Sequence, residues 1–134
     1  MFLFALGINH ETAPVAVRER VAFSSEELPR ALVDLKADVG LTEAAIISTC
    51  NRTEIYGSAE QDLSERAAAW LHRSRGLDPN RLTPFLHTFT QLQAVRHLLR
   101  VASGLESMVL GEPQILGQVK DAYLLAKHAG TLGS

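Results

Sequence analysis

The sequence predicts an α+β fold, a ferredoxin-like βαββαβ plait with a C-terminal helical extension. Three observations predict it. Short apolar or β-rich runs alternate with helix-period segments in the order strand, helix, strand, strand, helix, strand. The helical segments open on capping patterns and close on glycine. From residue 90 onward the pattern is helical only. Two βαβ-like halves in succession make a plait.

Residues 2–8, FLFALGI, form a buried first strand bounded by Gly7 and Asn9. Pro14 starts a short helical turn through Val15, Val17 and Arg18. Ser24 and Glu27 form a capping box, each able to satisfy the other's backbone donor. The helix they open carries Leu28, Ala31, Leu32 and Leu35 on one face and ends at Gly40. Pro29 falls in its first turns, where a missing N–H matters least. Residues 44–49 and 53–59 read as two strands joined by a tight turn at Cys50-Asn51-Arg52. A second helix spans 61–75, with a box-like start from Asp62 and Glu65, a face of Leu63, Ala67, Trp70 and Leu71, and Gly76 at its end.

Residues 83–89 fit a fourth strand, which Pro84 either places at a sheet edge or gives an irregular start. Thr90 and Gln93 form a further capping box, ahead of a stripe of Ala94, Val95, Leu98, Leu99 and Ala102 that runs up to Gly104. A glycine-flanked connection, 107–111, leads to Pro113 at a first helical position. Ile115, Leu116, Val119, Ala122, Tyr123 and Ala126 make the inner face of the last helix. Lys127 and His128 suit its C-terminal end, and Gly130 breaks it.

A chain of 134 residues, 46% hydrophobic and 21% charged, is sized for one soluble domain that folds without disulfides or metal. Its single cysteine and the lack of zinc-type Cys/His spacing point to a reducing compartment, hence the cytoplasm, and to no metal. MFLFALGINHET has no basic region ahead of its apolar run, so it is a first strand rather than a signal peptide. No segment is long and apolar enough to span a membrane, so no membrane partner is expected. A net charge of −2 argues against a dedicated DNA-binding domain. No G-x-G-x-x-G follows a strand, and no phosphate loop occurs.

The chemistry concentrates in STCNRTEIYG, residues 48–57, which holds the lone thiol. A cysteine attacks only as thiolate, which a nearby fixed cation favours and apolar burial opposes. Arg52 lies two residues from Cys50, and Thr49 and Asn51 offer hydrogen bonds. Cys50 is therefore either a thiolate raised on a turn or a small core residue at a strand end. His10, His72, His87, His97 and His128 are candidates to assist it. His97, on or beside an apolar stripe, is either a catalyst or a satisfied interfacial residue. His10 follows the first strand, whose end could approach the Cys50 turn. The segment GLESMVLGEPQILGQ, 104–118, is either a helix corner or a site in which Glu112, Gln114 and Gln118 meet a small amine or amide. Arg73, Arg75 and Arg81 form either a nucleic-acid patch or a solvated face.

Three stretches together, GINHETAPVAVRERVAF at 7–23, STCNRTEIYG at 48–57 and HLLRVASGLESMVLGEPQILGQVKDAY at 97–123, make the sequence resemble the N-terminal catalytic domain of glutamyl-tRNA reductase. The resemblance covers essentially the whole chain. It implies NADPH-dependent reduction of glutamyl-tRNA to glutamate-1-semialdehyde, the start of a route to 5-aminolevulinate and tetrapyrroles. Cys50 would be the nucleophile that holds glutamate as a thioester. His97 would position the ester end of the tRNA or move a proton. Substrate contacts would fall on Thr49, Cys50, Asn51, Arg52, Ser107, Glu112, Pro113, Gln114 and Gln118. Arg52 would take the side-chain carboxylate and Glu112 the α-ammonium group.

The resemblance also implies a homodimeric full-length protein with a Rossmann NADPH-binding domain and a dimerisation domain, and product transfer to glutamate-1-semialdehyde aminomutase. Residues 1–134 would be the catalytic domain alone. As such the chain would be a monomer that forms the thioester but cannot reduce it. The competing reading is a non-catalytic plait that binds a small molecule or partner, with Cys50 structural.

Overall fold

Residues 1–102 are described by a computed structural model, in which a four-stranded antiparallel sheet carries helices on both faces. The elements are β1 (Phe2–Asn9), α1 (Val15–Val21), α2 (Leu28–Val39), β2 (Glu43–Ser48), β3 (Arg52–Ala59), α3 (Ser64–Arg75), α4 (Pro79–Leu82), a 3₁₀ turn at Thr83–Phe85, β4 (His87–Thr90) and α5 (Leu92–Ala102). The sheet order is β2-β3-β1-β4, with β1 antiparallel to both β3 and β4. The expected connection after Gly104, the helix from Pro113 and His128 lie outside the described residues. No helix among those described is long and apolar enough to cross a membrane.

Strand alternation sends successive side chains to opposite faces. On one face Phe4, Leu6 and Ile8 of β1, Ile46 of β2 and Ile55 of β3 meet Leu32, Leu35 and Val39 of α2 and Ala67, Trp70 and Leu71 of α3. This is the main core. Each such Leu or Ile contributes roughly 1.5–3 kcal/mol through the apolar surface it removes from water. The other face carries Arg52, Glu54 and Tyr56 of β3, with Ile47 of β2, and α5 packs over it; Val101 of α5 joins Ile47 and Tyr56 in a small second cluster.

The local rules explain most boundaries. Ser24 N donates to Glu27 Oε1 at 2.9 Å and Glu27 N to Ser24 Oγ at 3.1 Å, a reciprocal box in the turn just ahead of α2. Gly40 and Gly76 close α2 and α3 with φ of +87° and +63°, the left-handed caps that glycine reaches without strain.

Four expectations are corrected. Asp62 works with Ser64, accepting from its N and Oγ at 2.9 and 2.6 Å, so α3 begins at Ser64 rather than 61 through a box with Glu65. The fourth strand starts at His87, because Pro84 folds into the 3₁₀ turn; β4 does lie at the sheet edge. Thr90 ends β4 instead of capping α5. Gln91 takes that place at φ 54°: its carbonyl accepts from Ala94 and Val95, and it is anchored to Leu3 by both backbone and side chain. On α5, finally, Ala94, His97 and Val101 face the sheet, while Val95 and Leu99 are exposed. The polar groups of β3 draw His97 inward and fix the helix's rotation.

Candidate functional site

Cys50 sits at the tip of the β2–β3 hairpin and is exposed. The hairpin loop is short: Thr49 N donates to the Arg52 carbonyl at 2.8 Å, leaving Cys50 and Asn51 between them. Gln91 is the one non-glycine with positive φ among the described residues, so the loop does not use the left-handed turns common in two-residue hairpins. The Thr49 hydroxyl holds it instead, accepting from the backbone N–H of Asn51 at 3.1 Å and of Arg52 at 3.2 Å. The base is tied down too. Ser48 Oγ lies 3.1 Å from Thr53 Oγ1 and accepts from Phe23 N at 2.8 Å. The thiol therefore projects from a braced turn, with Sγ 3.8 Å from Asn51 Oδ1.

Arg52 is not on the turn, as the sequence suggested, but is the first residue of β3, paired with Asn9. Its side chain is 0% exposed, and Nη1 lies 3.4 Å from Glu54 Oε1. The end of β1 thus lies beside the Cys50 hairpin. There the buried Asn9 side chain organises the next turn by accepting from Glu11 N and Thr12 N at 2.8 and 3.2 Å. His10 follows at that same end of the sheet, as the sequence anticipated.

The centre of the face under α5 is Glu54, a fully buried carboxylate. Oε1 accepts from Tyr56 OH at 3.0 Å and faces Arg52, while Oε2 meets His87 Nε2 at 2.9 Å and His97 Nε2 at 2.5 Å. All four lone-pair sites of the carboxylate are thereby used. Burial pushes the Glu54 carboxyl up. The hydrogen bonds from His87 and His97, with the charges of His97 and Arg52, outweigh it and hold the group well below the usual carboxylate range. The His97 ring is further confined by Phe89, His87 and Tyr56, with centroids 4.7, 5.1 and 6.5 Å away.

Ligand atoms of Glu54, His87 and His97 all lie within 4.8 Å of one another, the donor set of a zinc site. The positive charge such a site would need is already supplied by Arg52, and both imidazoles reach the carboxylate at hydrogen-bond distance. The group therefore fits a closed hydrogen-bond network better than a metal.

The structure brings His97 and Arg52 together through Glu54 and places Cys50 two residues from Arg52 on the same hairpin. His72 is elsewhere, buried at the end of α3, and desolvation holds its imidazole below the ordinary value against the pull of Asp78. Ser107, Glu112, Pro113, Gln114 and Gln118 lie outside the described residues. Glu54 and Tyr56 were not anticipated from the sequence, which named His87 only among five histidines that could assist Cys50. Their signal was the alternation Arg52-x-Glu54-x-Tyr56, polar groups at period two in an otherwise buried strand. Arg75 has a packing role rather than that of a free patch: it lies 4.1 Å over the Phe23 ring and pairs with Glu27 at 2.8 Å.

Residues 6–134 match the family model described as the N-terminal domain of glutamyl-tRNA(Glu) reductase. The chain is 55% identical over 134 residues to the glutamyl-tRNA reductase of Aromatoleum aromaticum, covering 100% of this chain and 32% of that protein. It is 53% identical over 133 residues to that of Nitrosococcus oceani, covering 99% and 32%. Among solved structures, the glutamyl-tRNA reductase of Methanopyrus kandleri superposes with a TM-score of 0.80 at 38% identity, over 98% of this chain and 30% of that one. The chain thus spans about a third of the length of the relatives it matches.

Proposed function

The chain belongs to the N-terminal domain family of glutamyl-tRNA reductase, and on that premise we propose that it carries the acyl-transfer half of the reaction, with Cys50 as the acyl acceptor. The observation that carries this reading is an exposed thiol on a braced turn, two residues from a buried network of Arg52, Glu54 and His97. An exposed cysteine contributes little to packing, which weighs against a structural role. The step balances as a thiol–ester exchange. The Cys50 proton leaves to a base, sulfur bonds to the carbonyl carbon of the aminoacyl ester, the bond to the tRNA ribose oxygen breaks, and that oxygen takes a proton.

On the family resemblance, Arg52 anchors the side-chain carboxylate of the glutamyl group, its guanidinium held in position by Glu54 Oε1. His97 serves the proton movements, supported by its fixed contact with Glu54. Thr49 and Asn51 shape the turn. Ser107, Glu112, Pro113, Gln114 and Gln118 complete the pocket on the strength of the family resemblance, with Glu112 taking the α-ammonium group.

The antiparallel order β4-β1-β3-β2, with α2 and α3 on one face, supports reading the sheet as a ferredoxin-like plait. The family resemblance makes NADPH the reductant of the full-length proteins. The residues here do not fit that cofactor. The described sheet has no parallel βαβ switch point, and the sequence has no dinucleotide turn. The single cysteine supports placing the chain in a reducing compartment, the cytoplasm, and on the resemblance we take it as a monomer by itself. The longer proteins would be homodimers that deliver glutamate-1-semialdehyde to its aminomutase for tetrapyrrole synthesis.

Incubation with glutamyl-tRNA followed by intact-mass analysis tests the proposal. A glutamyl adduct on the chain, released by hydroxylamine and missing in Cys50→Ala, is expected. An adduct that survives in Cys50→Ala overturns it, as does a chain that never acylates.

A further inference from the structure

Glu54 has two oxygens and four partners, and the assignment of its hydrogens follows from charge. Held ionised, it is an acceptor only. The Tyr56 hydroxyl and the Arg52 guanidinium donate to Oε1, so each imidazole at Oε2 must present an N–H. In both rings the atom at Oε2 is Nε2. Whenever either ring is neutral its proton therefore resides on Nε2, and Nδ1 is the nitrogen left to gain or lose one. His87 is consistent with this. Its Nδ1 is buried and has no hydrogen-bond partner, as befits a lone pair rather than a stranded N–H.

We infer that Glu54 is a positioning residue that fixes the tautomer of His97, making Nδ1 the nitrogen that exchanges protons with the acylation chemistry, while His87 holds Glu54 in place from the opposite side. The inference rests on the acyl-transfer reading for the use of that nitrogen, but not for its existence. Three features make the device rigid. The carboxylate is 0% exposed, so water does not compete for its oxygens. His97 cannot rotate freely among Phe89, His87 and Tyr56. His87 reaches Glu54 from β4 across the intervening strand, where Gly7 pairs with both residues. A carboxylate behind an imidazole orients the ring and selects its tautomer, an arrangement general to histidine sites.

Long-range ¹H–¹⁵N spectra of the chain labelled at histidine nitrogens test this, with His87→Gln and His97→Gln supplying assignments. In the wild type at alkaline pH, both His87 and His97 are expected as Nε2–H tautomers. In Glu54→Gln the His97 pattern should shift to a tautomer mixture while His10 and His72 stay unchanged. A wild-type His97 protonated on Nδ1 overturns the inference, as does an unchanged His97 pattern in a folded Glu54→Gln variant. The wild-type spectrum decides the tautomer even if the variant does not fold.

Kinetics give the second readout. Glu54→Gln should slow acylation of Cys50 about 10²-fold at saturating glutamyl-tRNA, with little change in half-saturation, and Glu54→Asp should restore part of that rate. A loss confined to half-saturation overturns the positioning role. A chain that never acylates but shows the Nε2–H tautomers refutes the acyl-transfer proposal and leaves the Glu54 assignment standing. The Nδ1–H tautomer in an acylating chain does the reverse.

Discussion

Glu54 of β3 and His87 of β4 meet at 2.9 Å across Gly7 of β1, although their strands are not neighbours in the sheet. The register sets Gly7 opposite both residues at once, so the three form one row. Two inter-strand spacings come to roughly 9.5 Å. The side chains of Glu54 and His87 span that gap, and Gly7 lets the backbones of β1 and β3 come close at the same point.

Gly7→Ala is expected to damage the site from its backbone outward. An added Cβ would lie 2.1 Å from the Thr53 carbonyl oxygen and 2.8 Å from Glu54 Cα, neither of which can swing away. The cost should reach about 3 kcal/mol, the upper end for overpacking. Urea unfolding of the two chains measures it. A variant within 0.5 kcal/mol of the parent would contradict this row.

Glu54→Ala should be worse than Glu54→Gln. Alanine removes the acceptor for two imidazole N–H groups and the carboxylate facing Arg52, a loss of about 3–5 kcal/mol. Glutamine keeps the volume and one acceptor, so about 1–3 kcal/mol is expected. Denaturant midpoints at neutral pH rank the three proteins, and equal midpoints for Ala and Gln would count against a satisfied network.

Acid should weaken the fold through Glu27 as well as Glu54. Hydrogen bonds from Arg75 and the Ser24 backbone lower the Glu27 carboxyl from 4.5 to about 2. Because the folded value is depressed, its stabilisation is complete above 4.5 and is lost as pH falls toward about 2. Over that window Glu27→Gln should lose stability less steeply than the parent in pH-dependent unfolding curves. Parallel curves would show that the Arg75 pairing does not persist in solution.

Thr49→Val removes the acceptor for two backbone donors of the hairpin loop. About 1–2 kcal/mol of stability should go. Hydrogen exchange at the Asn51 and Arg52 amides should quicken, while the core amides of β1 keep their ranking. Unchanged exchange at those two amides would mean that the hydroxyl does not brace the tip.

Iodoacetamide should modify Cys50 in the native chain within a few-fold of its rate in the urea-unfolded chain, since the residue is exposed. A native rate slower by a hundredfold would place the thiol in the interior instead.

The strands and helices that frame the main core were legible because each follows from local rules. FLFALGI could only be a buried strand, and Leu32, Leu35, Ala67 and Leu71 recur at helical spacing over a covered surface. Ser24 with Glu27, and Gly40 and Gly76, carry their own stop and start chemistry. Legibility failed where a distant partner decided. Thr90 is a good cap by type, but β4 needs it for pairing with Phe4. Val95 and Leu99 looked like core, yet α5 turns His97 toward the sheet because Glu54 waits there.

The chain by itself determined the order of its elements, the hairpin bearing Cys50 and the resemblance that names its family, all properties of neighbours along the sequence. The tertiary structure alone decided that Arg52 is buried, that Glu54 is the hub, and that His87 and His97 share one of its oxygens. A buried charge is tolerable only where several donors converge on it. Those donors come from β3, β4 and α5, up to 43 residues from Glu54 along the chain, so only the fold assembles them.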